Sequence, residues 1–171
     1  MAVCKKKIYE LCDLDLNKNL LLVAVERLND PGNLGTLIRS CVAFGIDALL
    51  LSKNSVDVYN PKVLRACTGN IFKLKIIEGL DFKTEFIGLK KFGFKVFATS
   101  SNVSKKCVCL SNVDFKQKFI LIFGNEASGI SQDVVSLCDA VVKIPISDNV
   151  ESLNVSVSAG ILLYETYLQR R

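Results

Sequence analysis

The residues able to do chemistry in this chain fall into three short stretches. "GNEASGI" (124–130) follows "QKFILIF" (117–123), an apolar run that reads as a buried strand. It sets a bare backbone, an amide and a carboxylate (Gly124, Asn125, Glu126) directly at the strand's end. "NDPGN" (29–33) follows the apolar "LLLVAVERL" (20–28), and "SDNVESLN" (147–154) follows "AVVKIPI" (140–146). In a parallel α/β sheet, ligands dock at the carboxyl ends of strands. Any one of these stretches alone is no more than a tight turn; three on one rim make a candidate site.

Several chemistries are closed to such a site. The chain has no histidine among its 171 residues, which removes the commonest general base and both Ser-His-Asp and Cys-His nucleophilic hydrolysis. Seven cysteines stand at 4, 12, 41, 67, 107, 109 and 138, with no C-x-x-C spacing, so a metal centre is not expected. Cys41, Cys67 and Cys138 read as small core residues, and reduced thiols fit a cytoplasmic protein. The dinucleotide fingerprint is missing. "PGNLG" gives only G-x-x-G, and "GNEASG" lacks the Lys-Ser/Thr of a phosphate-binding loop. Positioning and electrostatics are what remain. A net charge of +5, with lysines and arginines spread along the chain (Lys105 and Lys106 among them), allows a polyanionic partner without requiring one.

The elements that would hold these stretches alternate regularly. Strands are expected at 20–28, 46–52, 71–77, 94–100, 118–124 and 140–146. Helices are expected from Leu34 to about Val42, from Lys62 to Cys67, from Phe82 to Lys91, from Ser131 to about Cys138 and from about Ser152 to Gln169. Asn60-Pro61 opens the second helix, Asp81 caps the third and Ser131 caps the fourth. Alternating strands and helices predict an α/β fold, a parallel sheet covered by helices. The longest apolar runs are far too short to span a bilayer, so no membrane association is expected.

The same stretches, read at full length, resemble one family. "LNDPGNLGTLIRSCVAFGID" (28–47), "LIFGNEASGIS" (121–131) and "KIPISDNVESLNVSVSAGILLYE" (143–165) are similar to the three motifs of the SpoU (TrmH-like) family of SPOUT RNA 2′-O-ribose methyltransferases. "DVYNPKVLRACTGNIFKL" (57–74) is similar to the segment between the first two. The likeness covers roughly residues 20–168, and ordered motifs at consistent spacing make it specific. It implies S-adenosyl-L-methionine as cofactor, methyl transfer to a ribose 2′-hydroxyl in rRNA or tRNA, a homodimer, and a deep trefoil knot toward the carboxyl terminus. A non-catalytic RNA-binding or assembly protein on the same fold is the alternative.

By resemblance, Thr99, Gly124, Ile144 and Leu153 bind the cofactor. Gly124 would let the backbone approach the ligand, and Ile144 and Leu153 would enclose the adenine. Arg39 is the catalytic arginine. A guanidinium pKa above about 12 favours holding a phosphate and stabilising developing alkoxide charge over acting as a simple base. Asn29 is expected to fix the active-site loop or reach the ribose. Glu126 is expected to line the cleft and orient Arg39 or the substrate, and Ser152 and Asn154 to hold a hydroxyl at the start of the last helix. Arg65 matches an arginine expected to touch RNA phosphate. Residues 1–19 form a lead segment, too short for the separate RNA-binding domain that many relatives carry, and 20–171 form the methyltransferase domain.

Overall fold

The computed structural model describes residues 5–99 and 107–171; Cys4, Ser100, Lys105 and Lys106 lie outside the described residues. Among the described residues, seven strands, all paired in parallel, form one sheet. They are β1 (Leu21–Val25), β2 (Ala48–Ser52), β3 (Lys75–Leu80), β4 (Lys95–Thr99), β5 (Cys107–Cys109), β6 (Phe119–Phe123) and β7 (Ala140–Lys143). Their order is β3-β2-β1-β6-β4-β7-β5. The helices are α1 (Pro31–Ala43), α2 (Pro61–Cys67), α3 (Phe82–Lys91), α4 (Gln132–Leu137) and α5 (Val155–Arg170).

The apolar runs behave as doubly covered strands must. In β1, β2 and β6 every residue is buried, and successive side chains enter opposite cores. Leu21, Val23, Val25, Leu121 and Phe123 join Leu34, Leu37 and Ile38 of α1 and Leu162 and Leu163 of α5. Leu22, Ala24, Ile120 and Ile122 face Phe82 and Phe86 of α3 and Val134 of α4. Helices α1, α2 and α5 thus cover one face, and α3 and α4 the other.

Several boundaries differ from expectation. The strand expected over 71–77 begins only at Lys75, because Asn70–Lys73 coil into a 3-10 turn after Thr68 (φ +48) and Gly69 (φ +78) have turned the chain left-handed. The strand Cys107–Cys109 was not expected. Ser131 precedes α4 without a side-chain cap bond. The last helix starts at Val155 and its cap is Asn154, whose Oδ1 accepts from the Ser156 and Val157 amides at 2.8 and 3.4 Å. Ser152 therefore lies outside the helix it was expected to begin.

At the amino end of the sheet, Asp139 ties three elements together. Its carboxylate accepts the Val96 N–H at 2.8 Å and pairs with Lys90 Nζ at 3.0 Å, while Lys90 also donates to the Leu137 carbonyl. Partial burial pushes the Asp139 carboxyl up, but the Val96 amide and the Lys90 ammonium outweigh it, and the group stays below the usual carboxylate range. A depressed folded-state pKa contributes stability above the unfolded value and loses it as the pH falls through the folded value. Asp139→Asn should therefore lower the urea midpoint at pH 7 and leave it nearly unchanged once the pH is well below the carboxylate range. An equal deficit at both pH values would refute the assignment.

Candidate active site

The register places the three motifs on one rim. Val25 of β1 pairs with Phe123 of β6, Ala98 of β4 with Ile122 of β6, and Thr99 of β4 with Val142 of β7. Thr99, Phe123 and Val142 thus stand at one level on adjacent strands, with Gly124 one residue and Ile144 two residues beyond. Strand order runs outward from β1 through β2 to β3, while β6, β4 and β7 lie on its other side. The crevice at such a reversal is where open parallel sheets bind ligands.

The loop after β1 enters α1 at once. Asp30 is the cap, its Oδ1 accepting the Asn33 amide at 2.7 Å, and Pro31 takes the first helical position, where its missing N–H costs nothing. The cap leaves the Asn33 side chain unneeded by the turn. Asn33 Nδ2 donates to Glu126 Oε1 at 3.1 Å, and Asn33 Oδ1 accepts from Asn154 Nδ2 at 3.0 Å. One amide therefore joins all three motifs, across 93 positions to Glu126 and 121 to Asn154. Nothing local in the sequence singled out Asn33 over Asn29; the fold does, because the Asp30 cap frees the Asn33 side chain from the turn.

The loop after β6 is a tight lap. Asn125 and Gly129 exchange backbone bonds, N–H to carbonyl at 3.1 and 2.9 Å. Asn125 Oδ1 accepts the Ala127 and Ser128 amides, each at 3.0 Å. Gly124 is obligatory here for a reason other than ligand approach. A Cβ on it would stand 2.2 Å from the Gly129 carbonyl carbon and 2.4 Å from the Ile130 nitrogen, so the returning chain fills that space. Glu126, at the exposed apex, meets Asn33 and makes no hydrogen bond to Arg39.

The other expected residues sit as follows. Asn29 is exposed, and among the described residues its side chain has no hydrogen-bond partner; Asn33 occupies the linking position instead. Ser152 is exposed and likewise unbonded. Arg39 is exposed on α1, about 9 Å along the axis from Asn33 at 1.5 Å per residue, with no hydrogen bond or ion pair among the described residues. Arg65 is exposed in the last turn of α2. Helices α1 and α2 meet at Gly35, where a Cβ would stand 2.4 Å from the Ala66 Cβ.

Thr99 Oγ1 donates to the Ile122 carbonyl at 3.0 Å, which holds the end of β4 to β6. Ile144 is half-buried against the core, and Leu153 is half-buried. Among the described residues, no hydrogen bond engages the backbone of either. Apolar side chains beside unpaired amide and carbonyl groups suit a planar heteroaromatic ring with a hydrogen-bonding edge. Among the described residues, no cluster of three Cys, Asp or Glu side chains could hold a metal ion, and no helix is long and apolar enough to cross a membrane.

The parallel α/β sheet flanked by helices is the fold of the SpoU-type methylases. The chain belongs to that family: the SpoU rRNA Methylase family matches it over residues 20–164. Among curated proteins, it is 35% identical over 148 residues to an uncharacterized tRNA/rRNA methyltransferase, slr1673, of Synechocystis, covering 86% of this chain and 53% of that one. It is 32% identical to the 23S rRNA (guanosine-2′-O-)-methyltransferase RlmB of Acinetobacter baylyi, covering 92% of this chain and 63% of that one. The chain thus spans somewhat more than half the length of these relatives. Among solved structures, the SpoU methyltransferase AviRb from Streptomyces viridochromogenes in complex with AdoMet superposes with a TM-score of 0.86 at 30% identity, over 96% of this chain and 66% of that one.

Proposed function

We propose that this protein transfers a methyl group from S-adenosyl-L-methionine to a ribose 2′-hydroxyl of RNA, ribosomal or transfer. The observation that carries the reading is the Asn33 bridge, which brings Glu126 and Asn154 from distant motifs to one spot on the carboxyl rim. Membership in the SpoU family supports it, as do relatives named for 23S rRNA 2′-O-methylation.

When bound, the cofactor supplies a methyl group already activated on a sulfonium. The residues of this chain then have to align and stabilise. Ile144 and Leu153 take the adenine between apolar surfaces, with their unpaired backbone groups toward its edge, and Thr99 and Gly124 form the adjoining wall. Arg39, exposed and uncommitted, holds RNA phosphate and offsets the charge that builds on the 2′-oxygen. Asn33, Glu126 and Asn154 form a hydrogen-bonded floor, whose exposed Glu126 carboxylate is offered to the substrate. Ser152 and Asn29 flank this floor and contact the ribose, and Arg65 adds a second phosphate contact. Alignment of this kind contributes about 7–11 kcal/mol in favourable cases.

A homodimer is part of the proposal. Val157, Ile161, Tyr164 and Leu168 of α5 follow the i, i+4, i+7, i+11 spacing of one helical face and are 50%, 37%, 52% and 45% exposed, more apolar surface in line than water favours. A single-protomer mass by light scattering would refute it. The trefoil crossing and a cytoplasmic location, where the RNA substrates are, complete the proposal. A decisive test incubates the protein with radiolabelled S-adenosyl-L-methionine and total RNA, then maps ribose methylation. Label retained at a 2′-oxygen is expected; binding of both ligands with no transfer would leave an RNA-binding or assembly role.

A further inference from the structure

Glu26 stands one residue beyond β1, with 7% of its surface exposed. A carboxylate that deep needs hydrogen bonds, and a single residue 105 positions away supplies them. Oε2 accepts the Ser131 N–H and Oε1 the Ser131 hydroxyl, both at 2.7 Å. Arg27 Nε, at 3.9 Å, is too distant to share the load. Ser131 heads α4, yet it makes no cap bond to that helix; its hydroxyl is spent on Glu26 instead. At the other end of the same lap, Asn125 Nδ2 donates to the Arg27 carbonyl at 2.8 Å. Residues 124–131 are thus stitched to residues 26–27 at both ends, and Glu126 lies between the stitches.

We infer that Glu26 is a positioning residue for the proposed methyl transfer: by gripping Ser131 it fixes the lap that presents Glu126 to Asn33. The inference rests on the methyltransferase reading. Glu26 touches neither substrate nor cofactor. It acts through the placement of Glu126, whose bond to Asn33 at 3.1 Å tolerates little displacement.

Glu26→Gln keeps the side chain's shape but turns an NH2 toward one of two donors. Ser131→Ala removes only the hydroxyl bond and should act in the same direction, more weakly. Assayed well below the melting midpoint, Glu26→Gln should lower kcat about tenfold, as a small misplacement of a reacting constellation does, with KM for RNA and cofactor affinity within about twofold. In a Glu126→Ala background the same substitution should cost nothing further, because residues acting as one unit are non-additive. Additive losses would overturn the inference. A readout independent of activity is backbone amide exchange. Exchange over 124–131 should accelerate in both variants while α2 stays unchanged. Unaltered exchange in that lap overturns the inference, whereas a wild-type protein inactive on every RNA but with the expected exchange pattern counts against the methyltransferase reading alone.

Discussion

Arg39→Ala should lower methyl transfer by about 10²–10³, the loss that follows removal of one charge-stabilising group from an active site, and should leave the protein as stable as before. Both halves follow from one observation. Arg39 is exposed and, among the described residues, has no hydrogen bond or ion pair, so nothing in the fold depends on its charge. The buried stripe of α1 is Leu34, Leu37, Ile38 and Cys41, which Arg39 does not join. Calorimetric titration with S-adenosyl-L-methionine should give a dissociation constant within about twofold of wild type, since the proposed cofactor residues Thr99, Gly124, Ile144 and Leu153 all lie outside α1. Arg39→Lys should recover only part of the rate, because a point charge lacks the planar fork that grips phosphate at two oxygens. Full activity in Arg39→Ala would remove this residue from the chemistry.

Gly35→Val should be the most destabilising single change within the first motif. The contact between α1 and α2 is made at backbone distance there. A Cβ would lie 2.4 Å from the Ala66 Cβ, 2.9 Å from the Val63 carbonyl oxygen and 3.0 Å from the Cys67 nitrogen, and two of those atoms belong to backbone that cannot rotate away. Overpacking of this kind costs about 3 kcal/mol, or roughly 6–12 °C in melting temperature for a chain of this size. The helices that Gly35 joins carry Arg39 and Arg65. The variant should therefore also lose RNA affinity at temperatures where it is still folded, as the two cations lose their fixed separation. A melting temperature within about 2 °C of wild type would refute the packing argument.

How much of this was legible in the sequence varies with physical cause. Strands β1, β2 and β6 are short unbroken apolar runs between turn residues, a pattern that only double coverage explains, and they stand close to where they were expected. The start of β3 was misread because "IFKLKII" continues the apolar pattern through a 3-10 turn. The left-handed backbone at Thr68 and Gly69 decides that turn, and threonine gives little warning of it. β5 is three half-buried residues on a sheet edge, too short to carry a periodicity. Asp81 and Asn60 cap as expected, but Ser131 does not, because a buried carboxylate far away in sequence competes for its hydroxyl. The placement of β6 beside β1, and the meeting of Asn33 with Glu126 and Asn154, are long-range facts. No local spacing encodes them; the motifs were recognisable, but which asparagine of "NDPGN" joins them was not.

The pairing of β1 with β6 also bears on how the chain acquires its shape. Val23 sits beside Leu121, 98 positions later (121 − 23), so the innermost ladder closes one of the longest loops in the molecule. Loop closure must precede any reward from that pairing, and parallel sheets assembled this way fold slowly. Until β6 arrives, β1 presents an entirely apolar unpaired edge of five residues to whatever other chains are near. Yield on refolding should therefore depend steeply on protein concentration, with self-association competing against the late insertion of residues 119–123.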